Sequence, residues 1–552
     1  MEYFNEEHNL FRESLREFLN REVSPNIEVW EKDGRIPKSI WKKMGDMGFL
    51  GLSFPEKYGG SDLDFFFEVI FNEELGRLNS GGFVVTQQVV QYMSAPYIYK
   101  YGSDQLKDKY LPGIISGDLI SCIGITEPDA GSDTKNIQTR AELKGNEYVI
   151  NGSKTFITNG LYGDFIILVV KTDPKAGSKG VSLICVDLDQ NGITKNKINK
   201  LGWHSSDTAE LSFDNVRVPK ENLVGEEGKG FYYLMNGLQL ERLCFLPSNV
   251  ATMEYALSES LNYMSQRNAF GRTIDKFEVL RHRLSQLSSE LEALKAFSYY
   301  CCDLFDRGIY DVKSCSMGKL IVTELHEKIS TQCLQFFGGN GYTEDYPMAR
   351  MFRDSRIGTI GGGTSEIMRE IIAKVVIDDV TYEKAKSNVN SKENSVNTNL
   401  SNQVNISSLE KIDNHHLALA TKTIIIAEKA INMTIQHINQ TDNNEERKSS
   451  SQVIRHQIAQ MASEIECYKQ FIHSINNKFK TTGNLEKEIS MAKLTSMQLM
   501  DKVVTECFDM YENYDSLDQH PLEKIFQSSK MIQITNSKRN LHNNISKLII
   551  EK

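Results

Sequence analysis

Compared with itself, the chain falls into register at an offset of 174 residues, the distance from Arg281 to Arg455. Arg281-His282-Arg283-Leu284 lies opposite Arg455-His456-Gln457-Ile458, and the same offset pairs Glu290, Glu292, Lys295 and Phe297 with Glu464, Glu466, Lys469 and Phe471. Ser316-Met317 and Lys319-Leu320 fall on Ser490-Met491 and Lys493-Leu494, and Cys333 falls on Cys507. Any two amphipathic helices share some apolar periodicity, but a gapless register over such a distance is hard to obtain by chance and predicts a duplicated unit. Leu280, Leu284, Leu287, Leu291 and Leu294 recur at helical spacing, so the repeated unit is a helical bundle. Its second copy keeps the apolar scaffold but not the glycine turn: Gly338-Gly339-Asn340-Gly341 stands opposite Glu512-Asn513-Tyr514-Asp515.

The rest of the chain divides by hydrophobic period. Helical spacing runs from Glu7 to about Asp118, as in Leu10, Leu15, Phe18 and Leu19. From about Leu119 to Val224 the period becomes two, with strand-like runs Phe165–Val170 and Val181–Val186. Here Asn151-Gly152 is expected to join Tyr148-Val149-Ile150 to Thr155-Phe156-Ile157 as a hairpin. Helical spacing then returns. The predicted fold class is mostly α with a β middle domain. Its divisions are a helical domain (1–118), a β domain (119–229), a four-helix bundle (230–382), an Asn/Ser-rich linker (383–408) and the degenerate second bundle (409–552).

A chain of 552 residues with 40% hydrophobic and 25% charged residues has material for several packed units. Its net charge of -10 is the wrong sign for gripping phosphate backbones, so nucleic acid is not an expected partner. Nine cysteines without a C-x-x-C pair read as reduced thiols, and no metal site is assigned. No apolar run approaches the ~20 residues of a membrane span. The acidic start Met1-Glu2-Tyr3-Phe4-Asn5-Glu6-Glu7 is unlike a targeting peptide. A soluble, cytoplasmic protein is expected.

Three stretches bring chemistry-bearing residues together. Ile125-Thr126-Glu127-Pro128-Asp129-Ala130-Gly131-Ser132-Asp133 puts hydroxyls and free backbone N–H groups into one loop, suited to a polar ring edge or a phosphate. Phe156-Ile157-Thr158-Asn159-Gly160 offers an aromatic face and a hydroxyl on a strand. Gln335-Phe336-Phe337-Gly338-Gly339-Asn340-Gly341-Tyr342 ends a helix in a turn open to close approach. Each alone is compatible with ordinary turn chemistry. In this order, and with Arg267-Asn268-Ala269-Phe270-Gly271-Arg272 and Gly361-Gly362-Gly363-Thr364-Ser365-Glu366-Ile367-Met368, they resemble the acyl-CoA dehydrogenase family of flavoproteins over about residues 1 to 380.

The resemblance implies FAD between a helical domain, a β-barrel-like domain and a four-helix bundle. It places Ile125, Thr126, Gly131 and Ser132 along the flavin, Phe156 and Thr158 against its ring, and Ser132 also beside the thioester. Arg267, Phe270, Gln335, Gly338 and Gly339 would hold the pyrophosphate and adenosine, partly across a subunit interface, with Thr364 and Glu366 nearby.

Many family members carry the catalytic glutamate where this chain has Gly362, and glycine cannot remove a proton. Glu241 shares an apolar helical stripe with Leu234, Leu238 and Phe245, an anomalous place for a carboxylate unless desolvation makes it a base. Isovaleryl-CoA and long-chain acyl-CoA dehydrogenases carry their base on this helix, which supports Glu241. In the second copy His415 stands opposite Glu241 and Thr441 opposite Arg267. The resemblance also implies that Arg242 contacts CoA and that the Gly362 N–H faces the thioester oxygen. The expected reaction converts an acyl-CoA to the trans-2-enoyl-CoA, with electrons passed to an electron-transfer flavoprotein and a homodimer completed by the second bundle. Rivals are an acyl-CoA oxidase, an enzyme of carrier-protein thioesters, and an idle FAD-binding assembly protein. Phe83, Tyr92 and Tyr97 are candidates for closing the acyl pocket.

Overall fold

The computed structural model describes residues 3–382, 414–440, 451–482, 485–511 and 519–550. The linker at 383–408, Thr441 and Glu512–Asp515 lie outside the described residues.

Seven helices come first: α1 Glu6–Phe18, α2 Ile27–Asp33, α3 Lys38–Asp46, α4 Phe65–Gly76, α5 Gly81–Gln88, α6 Ala95–Tyr101 and α7 Asp104–Ile115. Every residue of α4 is buried, as an all-round apolar helix requires. Its acids are paired inside: Glu74 takes Arg12 and Arg16, and Glu73 takes Arg12 at 2.7 Å. Between α5 and α6 the backbone widens into a π-helical stretch at Val89–Ser94, next to Pro96, which has no N–H to offer the ladder.

Seven strands follow: β1 Ser121–Gly124, β2 Arg140–Lys144, β3 Glu147–Thr158, β4 Phe165–Lys171, β5 Val181–Asp187, β6 Ile193–Lys197 and β7 Thr208–Pro219. They form one curled sheet in the order β1-β4-β2-β3-β7-β6, with β5 also paired to β4. β4 is buried on both faces. Ile166, Leu168 and Val170 enter the core inside the sheet, while Phe165, Ile167 and Val169 join the helices, which explains the unbroken apolar run. The expected hairpin at Asn151-Gly152 is absent, because both residues lie within β3, which turns from β2 at Gly145-Asn146 instead. Gly152, at φ +147, sits at a register shift against β7; a Cβ there would lie 2.6 Å from the Thr139 Cα. Its lack of a side chain serves close backbone approach rather than a turn.

The bundle consists of α8 Gly230–Gln266, a small hairpin of β8 Asn268–Ala269 and β9 Arg272–Thr273, then α9 Glu278–Asp306, α10 Val312–Phe337, α11 Pro347–Ser355 and α12 Ser365–Val376. Five more helices complete the chain: α13 His415–Gln440, α14 Gln452–Thr482, α15 Glu486–Asp509, α16 Glu523–Thr535 and α17 Lys538–Ile550. α14 and α15 begin at the positions that α9 and α10 reach at the repeat offset. Ion pairs recur at that offset too. Lys328–Glu290 at 2.6 Å matches Lys502–Glu464 at 2.8 Å, and Lys295–Glu254 at 2.5 Å matches Lys469–Glu428 at 2.9 Å.

The two sets of helices meet reciprocally. α9 docks on α15 and α17 through Gln286–Gln498 and His282–Asn543, each at 2.9 Å. α14 docks on α12 through His456–Glu370 at 3.0 Å and on the segment just after it through Arg455–Asp378 at 2.7 Å. Such exchange of equivalent contacts is the signature of a two-fold interface, here within one chain.

Gly152→Ala is expected to cost about 1–3 kcal/mol through the disfavoured φ and the Thr139 clash. Urea unfolding of the parent and variant measures it.

Candidate active site

Glu241 lies on α8 and points into the bundle. It is 9% exposed, and among the described residues no hydrogen bond or ion pair holds its carboxylate. Burial raises its pKa, while the nearby cations Arg242 and Lys319 partly oppose that rise. Lys319, from α10, is fully buried, and its ammonium donates to the Gly363 carbonyl at 2.5 Å; burial and Arg242 pull its pKa down to about 8.

Gly362 faces the carboxylate directly. A Cβ built on it would lie 3.4 Å from Glu241 Oε1, 4.0 Å from Lys319 Cε and 4.0 Å from the Phe245 ring. Its φ of +65 suits glycine. A side chain at 362 and the side chain at 241 thus aim at one spot, from α12's approach loop and from α8. Arg242, also buried, reaches Ser316 Oγ at 3.5 Å and leaves its Nε without a partner. Tyr97 packs on α8 one turn before the acid: a Cβ on Gly237 would fall 2.1 Å from its hydroxyl. Of the three aromatics expected near the pocket, Tyr97 alone approaches Glu241. Phe83 stacks on Trp30 with centroids 5.9 Å apart, and Tyr92 donates to Glu68 at 2.5 Å.

A second cluster forms where the 125–133 loop meets β3. Thr155 N–H donates to the Thr126 carbonyl at 2.9 Å, and Lys154 Nζ donates to the Ile125 carbonyl at 3.0 Å. The loop is pinned by Glu127, whose carboxylate takes Lys154 Nζ at 2.7 Å and the backbone N–H groups of Gln138 and Thr139. That anchoring brings Ile125 and Thr126 beside Phe156 and Thr158, with Gly131 and Ser132 exposed at the rim. Phe156 sits in a bulge between Lys154 and Ile157 at φ +60, which turns its ring outward to 66% exposure.

The third cluster lies at the far end of α8. The β8–β9 turn carries Phe270, 95% exposed, and follows Arg267. The glycine turn after α10 abuts it through Tyr263, which stacks on Phe337 with centroids 4.2 Å apart and accepts from Asn340 at 3.0 Å. Gln335, Gly338 and Gly339 are exposed, and a Cβ on either glycine would meet nothing within 4 Å. The helix separates Arg267 from Glu241 by roughly 39 Å at 1.5 Å per residue, so this cluster does not join the one around Glu241. Thr364 caps α12 by accepting from Ile367 N–H at 3.3 Å, and Glu366 stands exposed beside it.

Lys319 and Phe245 were missed as members of the site. A lysine within the apolar stretch Met317–Val322 carries the same signal that singled out Glu241.

The Glu127–Lys154 pair sets the loop. Glu127→Gln leaves a buried ammonium half-paired and is expected to cost about 3–5 kcal/mol, read by chemical denaturation.

The chain matches the acyl-CoA dehydrogenase N-terminal domain over residues 5–118, the middle domain over 122–216, and the C-terminal domain over 228–377 and again over 407–546. It is 39% identical to the mitochondrial long-chain specific acyl-CoA dehydrogenase of Rattus norvegicus over 381 residues, 68% of this chain and 88% of that one. A crystal structure of acyl-CoA dehydrogenase from Geobacillus kaustophilus is 42% identical, with a TM-score of 0.66 over 68% of this chain and 98% of that one. The acyl-CoA dehydrogenase from Bacillus anthracis complexed with FAD is 25% identical and matches 100% of this chain and 96% of its own, with a TM-score of 0.85. The chain therefore belongs to the acyl-CoA dehydrogenase family, FAD-dependent oxidoreductases acting on CH–CH bonds.

Proposed function

We propose that this enzyme dehydrogenates an acyl-CoA thioester to the trans-2-enoyl-CoA with Glu241 as its base, and that the electrons leave to an electron-transfer flavoprotein in a cytoplasmic setting. The observation that carries the assignment is the 3.4 Å between Glu241 Oε1 and the Cβ position of Gly362. The carboxylate from α8 reaches the place that a glutamate at 362 would fill, so the missing side chain is replaced in space.

The residues present fit FAD. Gly131, Gly338 and Gly339 leave open space where a Cβ would be, Phe156 is turned outward, and the Thr126 and Thr158 side chains remain partly accessible. Ile125, Thr126, Gly131, Ser132, Phe156 and Thr158 would hold the flavin. Arg267, Phe270, Gln335, Gly338 and Gly339 would hold the phosphates and adenosine of a neighbouring subunit's cofactor, with Thr364 and Glu366 beside it. Their distance along α8 supports that division, and hence a homodimer. When bound, FAD supplies the two-electron acceptor for the substrate's β hydrogen.

Glu241 takes the α proton. Its burial strengthens it as a base, since protonation removes the charge that burial penalises. The Gly362 N–H steadies the charge that develops on the thioester oxygen. Ser132 lies beside the thioester, and the unpartnered Nε of Arg242 is offered to the CoA portion.

The helices after residue 408 are read as a degenerate second bundle, outside the four units proposed for 1–118, 119–229, 230–382 and 383–408. Support comes from the shared helix starts, the recurring ion pairs and the reciprocal docking of α9 and α14. This copy covers a face through which two ordinary dimers would pair. A chain ending at residue 382 is expected to associate into a species of twice the parent's subunit number in analytical ultracentrifugation.

Glu241→Gln keeps shape and removes the charge. It is expected to retain yellow flavin while substrate-dependent bleaching slows by about 10²- to 10⁴-fold. Bleaching as fast as the parent's sinks the base assignment. Because the raised pKa keeps Glu241 protonated to higher pH than a free glutamate, near 4.3, activity should fall with acidification along a limb displaced upward from that value. Stopped-flow bleaching against pH reads it. Oxygen consumption with peroxide release would instead indicate an oxidase.

A further inference from the structure

A cavity opens one helical turn beyond the base. Phe245, Ser248, Asn249 and Thr252 of α8 line one side of it, and α5 and α10 supply Val84, Gln88 and His326. Phe245 is the partition: its ring edge lies 4.0 Å from the Cβ position of Gly362 on one side, and it lines the cavity on the other. Space beside Glu241 and space in the cavity are thus separated by a single aromatic ring.

The far wall is polar. His326 is 7% exposed, with Nδ1 2.6 Å from Asn249 Oδ1. The Asn249 amide nitrogen donates to the Phe245 carbonyl at 2.6 Å, which turns its oxygen toward the histidine. Nδ1 therefore carries the proton, and Nε2 is a bare acceptor. It is buried and has no partner among the described residues. Burial alone lowers the imidazole's pKa to about 4, so Nε2 remains an acceptor at neutral pH. Neighbouring polar groups are engaged. The Gln88 amide donates to Asn72, Cys244 and Ser248, and the Asp354 carboxylate accepts the N–H groups of Gly81 and Trp203. One acceptor in the wall lacks a donor, which is costly unless something fills it.

Resting on the reading of Glu241 as the base, we propose that His326 Nε2 accepts a hydrogen bond from a hydroxyl carried far along the acyl chain, so that the enzyme prefers hydroxylated acyl thioesters over plain ones. Helix geometry sets the distance. From Glu241 to Asn249, which holds His326, is roughly 12 Å at 1.5 Å per residue. An extended chain covers about 1.2 Å per bond, since the three backbone bonds of a residue span up to ~3.6 Å. The hydroxyl then lies about ten bonds beyond C2.

The test compares kcat/KM for ω-hydroxydodecanoyl-CoA and dodecanoyl-CoA with the full-length, FAD-loaded enzyme and a dye acceptor. The hydroxylated substrate is expected to be favoured by about tenfold or more, because a site built around a hydrogen bond discriminates against the analogue that lacks it. In His326→Leu the preference should fall to parity or below. If the parent turns over dodecanoyl-CoA with a ratio at or below one, the proposal is overturned and a bound water satisfies Nε2. That arm uses the parent alone, so it decides even if the variant does not fold. A preference that persists in folded His326→Leu overturns it as well. Turnover of neither substrate overturns this inference, while the bleaching of Glu241→Gln judges the base reading separately.

Discussion

A carboxylate inside a helical bundle, with no hydrogen bond to hold it among the described residues, sets the terms for everything around it. Burying such a group costs several kcal/mol unless charge or protonation compensates. Here Arg242 and Lys319 provide compensation at a distance rather than in contact, so Glu241 keeps its lone pairs free. Direct ion pairing would stabilise the anion and weaken it as a base. Lys319 is prevented from closing on the acid because its ammonium is engaged by the Gly363 carbonyl. The glycines at 362 and 363 therefore divide two tasks: Gly362 leaves room for the acid, and the Gly363 carbonyl occupies one of its two neighbouring cations.

The long helix α8 organises the molecule as a ruler. Glu241 and Arg242 lie near its start, Phe245 to Thr252 along the cavity, and Tyr263 and Arg267 at its end, against the glycine turn. A rigid rod cannot bring its two ends to one ligand. The separation of the Arg267 cluster from Glu241 follows from helix rise alone.

Much of this was legible in residue order. The change of period from helical to two and back marks the sheet, and the run Phe165–Val170 announces a strand covered on both faces. Glu241 was legible because a charge in an apolar stripe contradicts its surroundings. Asn151-Gly152 misled because the same dipeptide serves a turn or a bulge. Only the approach of Thr139 decides, and that contact comes from the residue just before β2. Phe245 and His326 gave no signal of their own. An aromatic and a histidine on helices are ordinary until tertiary packing places them on the two sides of one cavity. The outward turn of Phe156 was hidden for the same reason, since its φ of +60 comes from a register shift against β7.

The reciprocal docking of α9 and α14 has a physical corollary. Contacts between separate subunits obey mass action and weaken as the solution is diluted. Contacts between two stretches of one polypeptide do not, because each is tethered near the other at a fixed local concentration. This face of the bundle stays covered in a cell that makes few copies of the protein, as it does in one that makes many.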